Sequence, residues 1–368
     1  MLKRSLAVFL IVTSATLGFA AEQRKGHQPK LTPQNSGTTQ LLIAVSPVNP
    51  RVVWAAGTGG TFVVTTDGGE HWKAGVVPGA EKLQFRDVQG VSDKVAYLMS
   101  IGNNTTDFRI YKTVDGGATW KIEFKNELAG AFYDCFAFWT PNRGIAQSDS
   151  VNGVFPDIRT KDGTTWQSIA NNMPPALMGE ASFAASGTCV ATQGGRNAWI
   201  ATGGATIARI LATRDGGDTW NAYDTPLVSS ASAGAISVAF RNPWNGVVGG
   251  GDLTKNNTAD MATSNDGGKT WQLTNKPPVD GAIFCLSYVH GNGDGGLKQG
   301  DGHGSRTVVI TSETKPKYIS GRAAWTPDEG QTWFKLPKIV SGYWAVGFAS
   351  PKAGWFVGNG GKILKISF

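Results

Sequence analysis

The side chains able to carry chemistry in this sequence are mostly carboxylates. Only four histidines are present, His27, His71, His290 and His303, and three cysteines, Cys135, Cys189 and Cys285. A Ser/His/Asp triad needs a histidine beside its nucleophile, and a zinc site needs several His or Cys donors. His27 lies in a polar N-terminal stretch, His71 in a turn motif and the other two beside a glycine-rich segment, so neither chemistry has its residues. Acidic, arginine and tyrosine side chains recur instead at the edges of apolar runs. Arg86 and Asp87, Tyr133 and Asp134, Glu180 and Ser182, and Tyr343 stand where such runs begin; Asp149, Asp252 and Lys255 stand where others end or in the loops that follow. Gathered in one place, they could coordinate a cation through oxygen, grip a basic peptide, or do acid–base work through a raised pKa. Taken singly, Asp87, Asp134 and Asp149 could equally bond the backbone amides of neighbouring strands.

What would gather them is a repeat. The box Thr113 to Trp120 (TVDGGATW) returns as TTDGGEHW, TRDGGDTW, SNDGGKTW and TPDEGQTW, and one residue shorter as TKDGTTW. Its Asp and Trp pairs are Asp67 and Trp72, Asp115 and Trp120, Asp162 and Trp166, Asp215 and Trp220, Asp266 and Trp271, and Asp328 and Trp333. Asp and Ser/Thr side chains bond nearby amides in a tight turn, and Gly supplies positive φ, so the box is a hairpin turn. The Trp begins the returning strand and fills the gap between sheets. A period of about 50 residues with short β-rich strands predicts an all-β propeller of four-stranded antiparallel blades.

After the sixth box, Tyr343 to Ser350, Gly354 to Asn359 and Lys362 to Phe368 give three more strands and no fourth. Lys30 to Asn35 can supply it, with Pro33 tolerated on an edge strand. Seven blades closed by both termini in one blade are therefore expected over residues 31–368, with six as the alternative. The boxes are turns between the third and fourth strands. Recognition is expected on the opposite face, around the channel mouth, where the candidates above converge.

The N-terminus reads as a signal peptide: Lys3 and Arg4, an apolar run from Ala7 to Phe19 and cleavage after Ala20. Residues 21–30 are expected to be a disordered tail, and the mature protein to be exported, periplasmic or extracellular, without a membrane span. The net charge of +7, which falls to +5 without Lys3 and Arg4, is spread along the chain, so no nucleic-acid partner is expected. An odd number of cysteines cannot complete a disulfide framework; buried apolar thiols are the plainer reading, one pair with a third thiol left over the other. Asp294, Asp301 and His303 in the segment from His290 to Ser305 do not match an EF-hand spacing. Neither a metal nor a cofactor is expected.

The boxes resemble the Asp-box, or BNR, repeat of sialidases and other secreted propellers. With GTGGT at Gly57 to Thr61 leading into TTDGGEHW, the chain resembles more closely the photosystem II stability and assembly factor family and its non-photosynthetic bacterial relatives. That resemblance implies a seven-bladed, non-enzymatic scaffold binding a protein partner; the family's arginine patch would have to come from residues such as Arg86, Arg196 and Arg241. The alternatives are a sialidase-like glycoside hydrolase, with Tyr343 and Glu180 as the catalytic pair, and a glycan-binding propeller stacking sugars on Trp139, Trp244 or Trp325. Arg51, before Val52-Val53-Trp54, does not fit the sialidase arginine motif. As carboxylates at strand ends around the channel mouth, Asp134, Asp149 and Glu180 are expected to be replaceable together without loss of the fold and with altered recognition.

If the boxes are staples, Asp115→Ala lowers the melting temperature and leaves ligand recognition intact. A melting curve matching the parent's would remove the staple role.

Overall fold

The computed structural model describes residues 28–289, 305–313 and 322–368. Among them are seven four-stranded antiparallel sheets, six in simple sequence order. In the seventh, Lys30–Asn35 pairs with Lys362–Ser367, outside Ala353–Gly358 and the inner strand Tyr343–Ser350. The register runs from Lys30 opposite Ser367 to Asn35 opposite Lys362, with Pro33 on the outer edge, where its missing N–H is not needed. Seven blades and closure by both termini are thus as expected, while Lys30 belongs to the closing strand and not to the tail. The signal peptide, residues 21–27 of the tail and the glycine-rich segment from His290 to Gly304 lie outside the described residues. Among those described, no helix is long and apolar enough to cross a membrane.

The inner strands of blades 1 to 7 are Leu42–Pro47, Gln84–Gly90, Tyr133–Thr140, Val190–Gln193, Ala233–Phe240, Ala282–Tyr288 and Tyr343–Ser350. Each neighbours the next around the ring, and the last neighbours the first. The outer strand Lys121–Lys125 alternates charged with apolar residues and faces water, as does Lys73–Val76 with its small residues, whereas the second strand of blade 1, Val53–Gly57, is buried throughout.

In the box of blade 2, Thr113 Oγ1 donates to Asp115 Oδ1 at 2.8 Å and accepts from Gly117 N–H at 3.0 Å. Asp115 accepts from Thr119 N–H at 2.9 Å and from the Thr119 hydroxyl at 2.6 Å. The same pattern surrounds Asp215 and Asp266, and the shortened box uses the amides of Thr164 and Thr165 on Asp162. Gly116 N–H also bonds Lys94 O in the first turn of its blade, locking the two turns of that face together. Only Trp166 stands inside its returning strand; the other box tryptophans sit one residue ahead of it.

Those tryptophans join blades. Trp120 of blade 2 packs edge-on against Trp54 and Phe62 of blade 1. Trp220 is buried in the core shared by blades 3 and 4, and Trp72, Trp166, Trp271 and Trp333 pack likewise on cores that include the preceding blade. A second set sits deeper. Trp199 stacks on Phe240 of the next blade at 3.6 Å and donates Nε1–H to Gly267 O at 2.8 Å, and Trp139 donates to Asn197 O at 2.7 Å.

Cys135 and Cys189 form a disulfide between the inner edges of blades 3 and 4, with Cα atoms 5.9 Å apart, so the reading of three buried thiols is corrected. Their separation of 54 residues is about one repeat, which places them at matching positions in neighbouring blades. Cys285 is a buried thiol that exchanges hydrogen bonds with Val346 of blade 7.

Trp199→Ala is expected to destabilise the ring by about 3–5 kcal/mol, since a fully buried ring and an inter-blade hydrogen bond are lost together. Urea unfolding gives the value; a loss below ~1 kcal/mol would place the inter-blade cohesion elsewhere.

Candidate functional site

The channel is not open. Each inner strand of blades 1, 2, 3, 5, 6 and 7 carries a register shift near its start, and the extra residues are Ile43, Arg86, Asp134, Ile236, Phe284 and Trp344. A bulge re-aims a side chain. Ile43, Ile236, Phe284 and Trp344 meet in one buried cluster although they come from blades 1, 5, 6 and 7, which can happen only at the axis. Blade 4 has a short inner strand, and the segment before it crosses the axis: Phe183 and Ala185 join that cluster, Arg86 Nη1 donates to Ala184 O at 2.9 Å, and Ser186 Oγ donates to Phe284 O at 2.7 Å. The Arg86 guanidinium also lies 5.8 Å from the Trp344 ring centre.

This plug decides where the sequence candidates stand. Asp87 accepts from its neighbour Val88 N–H at 2.7 Å and from Phe136 N–H of blade 3 at 2.8 Å, the amide-bonding alternative. Tyr133 is buried and donates to Pro156 O at 3.0 Å, and Tyr343 is buried against Phe356. Glu180 is buried in an ion pair with Arg209, accepting from Arg209 Nε at 2.9 Å, Arg209 Nη2 and the Thr202 hydroxyl at 2.6 Å. Asp252 is buried under Ser232 and Thr254, with Lys255 Nζ at 3.3 Å. Of the ten candidates Lys255 is exposed, and Arg86 and Asp149 are half-buried.

One group does come together. Asp134 and Asp149 hydrogen-bond carboxyl to carboxyl, Asp149 accepts from Ser182 N–H at 2.9 Å, and Arg86 lies near enough to act on Asp134. Asp157, which the sequence reading passed over, is buried beside them and accepts from Ser148 N–H at 2.9 Å. One oxygen each of Asp134 and Asp157 has no hydrogen-bond partner among the described residues. Burial pushes all three carboxyls up, Asp157 to about 8, and the proximity of Asp149 adds to the rise at Asp134. The pair is held by sharing a proton. Among the described residues no three His, Cys, Asp or Glu side chains are grouped to hold a metal ion.

Two expectations need correction. Replacing Asp134, Asp149 and Glu180 together cannot spare the fold, because Arg209 would be left buried without its counter-charge. The proposed sialidase pair is also split: Tyr343 belongs to blade 7 and Glu180 to the entry of blade 4, on opposite sides of the ring. Of the three tryptophans suggested for sugar stacking, Trp139 and Trp325 are buried; Trp244 is 56 % exposed, on the box side, with the Arg214 guanidinium over its ring.

The accessible surface opposite the boxes is a ledge of loops. Leu128, Val154, Ile207 and Val228 are 40–48 % exposed and Met178 is 96 % exposed, on successive loops from blade 2 to blade 5. Loops usually tolerate motion, but these are tied to one another. Ala176 N–H bonds Gly153 O at 3.0 Å, the Ser150 hydroxyl bonds Glu180 O at 2.6 Å, Gly203 and Ala181 exchange both backbone bonds, and Ser229 Oγ bonds Ala205 O at 2.8 Å. Beneath Met178, Glu180 Oε2 accepts from Leu177 N–H at 2.8 Å while Arg209 Nη2 donates to Pro175 O at 3.0 Å. The buried ion pair thus positions the loop. Sequence patterning did not reveal this ledge, since a lone Met or Val in a loop is unremarkable until its neighbours are known.

The class is defined by these features: a seven-bladed β-propeller, plugged at its axis, with one face of locked turns and one of knitted loops. No family model matches the chain. It is 26 % identical over 238 residues to the "Photosystem II stability/assembly factor HCF136, chloroplastic" of Cyanidioschyzon merolae (strain NIES-3377 / 10D), a match covering 60 % of this chain and 51 % of the relative. The chain thus spans about half the length of the curated relative it matches. Similar solved structures include "YCF48 bound to D1 peptide" (TM-score 0.61, 16 % identity, 93 % of this chain and 97 % of that one). "YCF48 from Cyanidioschyzon merolae" matches with TM-score 0.59 and 16 % identity over 92 % and 98 % of the two chains. The GH74 xyloglucanase of Xanthomonas campestris gives TM-score 0.60 and 12 % identity over 91 % and 53 %. The expected resemblance is therefore found in sequence, and the propeller fold in all three structures.

A carboxyl whose folded pKa exceeds its unfolded value holds its proton more tightly in the native state. Its contribution is full below the unfolded value, near 4, and is lost as pH rises through the folded value. The acid group at blade 3 therefore lowers stability progressively from about pH 4 to about pH 8. Asp157→Asn is expected to flatten that decline, read as melting temperature against pH; an unchanged slope would show that Asp157 does not hold its proton in the folded state.

Proposed function

We propose that this chain is an exported, non-enzymatic propeller that binds a protein partner on the ledge opposite its boxes, in the manner of an assembly factor. The observation that carries this reading is the alignment of Leu128, Val154, Met178, Ile207 and Val228 on loops fixed by their own hydrogen bonds. Apolar side chains held in place offer a partner area to bury at low entropic cost, and Met adapts to irregular surfaces. The half-buried Arg86 and Asp149 and the exposed Lys255 supply polar contacts at the same face.

The comparisons support a protein partner in kind. One relative is named a stability and assembly factor, and one structure of the same fold is titled as bound to a peptide. The disulfide between Cys135 and Cys189 supports export, because such bonds persist in oxidising compartments. Cleavage near Ala20 and a periplasmic or extracellular location belong to the same proposal. A glycan ligand is the second reading, carried on the other face by the exposed Trp244.

The test is a crosslinking pull-down from the native exported fraction with the full chain and with Met178→Glu. Met178 makes no contact the fold needs, so the variant should fold normally and lose at least ~10-fold of the captured protein, the scale of one interface anchor. Equal capture by both proteins would remove the ledge from the proposal, and enrichment of glycan without protein would favour the second reading.

A further inference from the structure

Between blades 5 and 6, on the box side, lies a cavity of about 430 Å³ unrelated to the ledge. Among the described residues its ionisable lining is Arg241, Arg306 and Glu329, with Asn245, Asn265 and Gln272 as neutral polar groups and Trp271 as an aromatic wall. Glu329 stands where the other boxes have glycine, as at Gly68, Gly116, Gly163, Gly216 and Gly267. It keeps the glycine conformation, at φ 56°. A non-glycine residue there is strained by roughly 1–2 kcal/mol. The side chain it gains is buried and divided: Oε1 accepts from Arg241 Nε at 2.7 Å and from the Tyr288 hydroxyl at 2.8 Å, and Oε2 accepts from Arg306 Nε at 2.9 Å.

Two guanidinium groups therefore share one carboxylate, and among the described residues the cavity lining carries a net positive charge. Both arginines meet Glu329 through Nε. Arg306 uses Nη2 on Asp328 O at 3.2 Å, while neither terminal nitrogen of Arg241 bonds an acceptor among the described residues. Where blades 3 and 4 meet on the same face, Arg159 is instead matched by Asp218 at 2.7 Å.

We propose that this cavity binds the carboxylate of an acidic sugar residue. Arg241 presents its paired terminal N–H groups to a carboxylate, the geometry in which arginine binds it best. The Trp271 wall suits the C–H face of a pyranose ring, and the side-chain amides suit its hydroxyls. The volume lies in the range of small-ligand sites. Glu329 orients the two arginines and at the same time competes for their charge.

The test is calorimetric titration of the full chain with sodium D-glucuronate, with D-glucose and with sodium acetate as separate probes. Glucuronate is expected to bind, and both comparison ligands to bind at least ~10-fold more weakly. Arg241→Gln should weaken glucuronate by a similar factor. Glu329→Gln keeps an amide oxygen for Arg241 and Tyr288 while removing the competing charge, so it should tighten glucuronate, with its melting curve checking that the fold is kept. Glucose or acetate binding as well as glucuronate, no binding of glucuronate, or a folded Glu329→Gln variant with unchanged or weaker affinity would each overturn the proposal. The pull-down with Met178→Glu probes the opposite face and is independent of this result.

Discussion

The constraint on which the molecule depends is that its seven innermost strands are sheet edges. Each has backbone groups pointing towards the axis with no strand to pair them, and such edges must be satisfied or covered. Here each blade serves the next. Phe136 N–H is taken by Asp87, Leu286 N–H by Ser237 Oγ at 3.0 Å, Val346 N–H by Cys285 Sγ at 3.3 Å and Val238 N–H by Thr188 O at 3.0 Å. In three of these cases the acceptor residue directly follows the bulge residue of its own strand. Where blades 3 and 4 meet, the link is covalent. Bulge, acceptor and amide form one repeating device.

That device also fills the axis. Because the bulge throws one residue inward, the fate of the channel is set by the side chains placed there. Ile43, Ile236, Phe284 and Trp344 make one side apolar, whereas Arg86 and Asp134 make the other polar. Blade 4 departs from the rule by sending a segment across the axis, so Phe183 does for the plug what a bulge residue does elsewhere. The carboxyl group at Asp134 is the cost of placing an acid at a bulge facing a plug: it is desolvated, and sharing its proton with Asp149 is how the charge is removed.

Much of this was legible in the sequence. The boxes declare themselves because their chemistry is local: a Thr hydroxyl, an Asp and two glycines within a few residues specify the turn wherever the chain goes. The closing strand was legible for a topological reason, since the C-terminal repeat lacked one strand and Lys30 to Asn35 could complete it. Site residues were harder. Asp87 and Asp134 sit next to equivalent positions one repeat apart, yet Asp87 bonds amides and Asp134 pairs with another acid, because the difference lies in what the adjacent blade presents. Glu180 looked like an accessible carboxylate at the start of a strand, and only the fold brings Arg209 beneath it. The disulfide was obscured by parity: three cysteines made unpaired thiols the plainer reading and one pair only the alternative, although the spacing of Cys135 and Cys189 by about one repeat carried the signal.

Departures from the repeat are more informative than the repeat. Two stand out, the excursion before blade 4 and the sixth box, and both are built on a buried glutamate gripped by arginine: Glu180 with Arg209, and Glu329 with Arg241 and Arg306. Buried ion pairs are poor sources of stability, since desolvation offsets much of the attraction and apolar packing can do as well. What they do supply is position, because a carboxylate fixed by several directed donors cannot drift. Glu180 fixes the loop that lifts Met178 into solvent, and Glu329 fixes two guanidinium groups at the rim of a polar cavity. The remaining blades hold their turns with threonine, aspartate and glycine and need no such pair. A propeller that only had to close its ring would have had no use for either glutamate, so their placement supports the two binding faces proposed above.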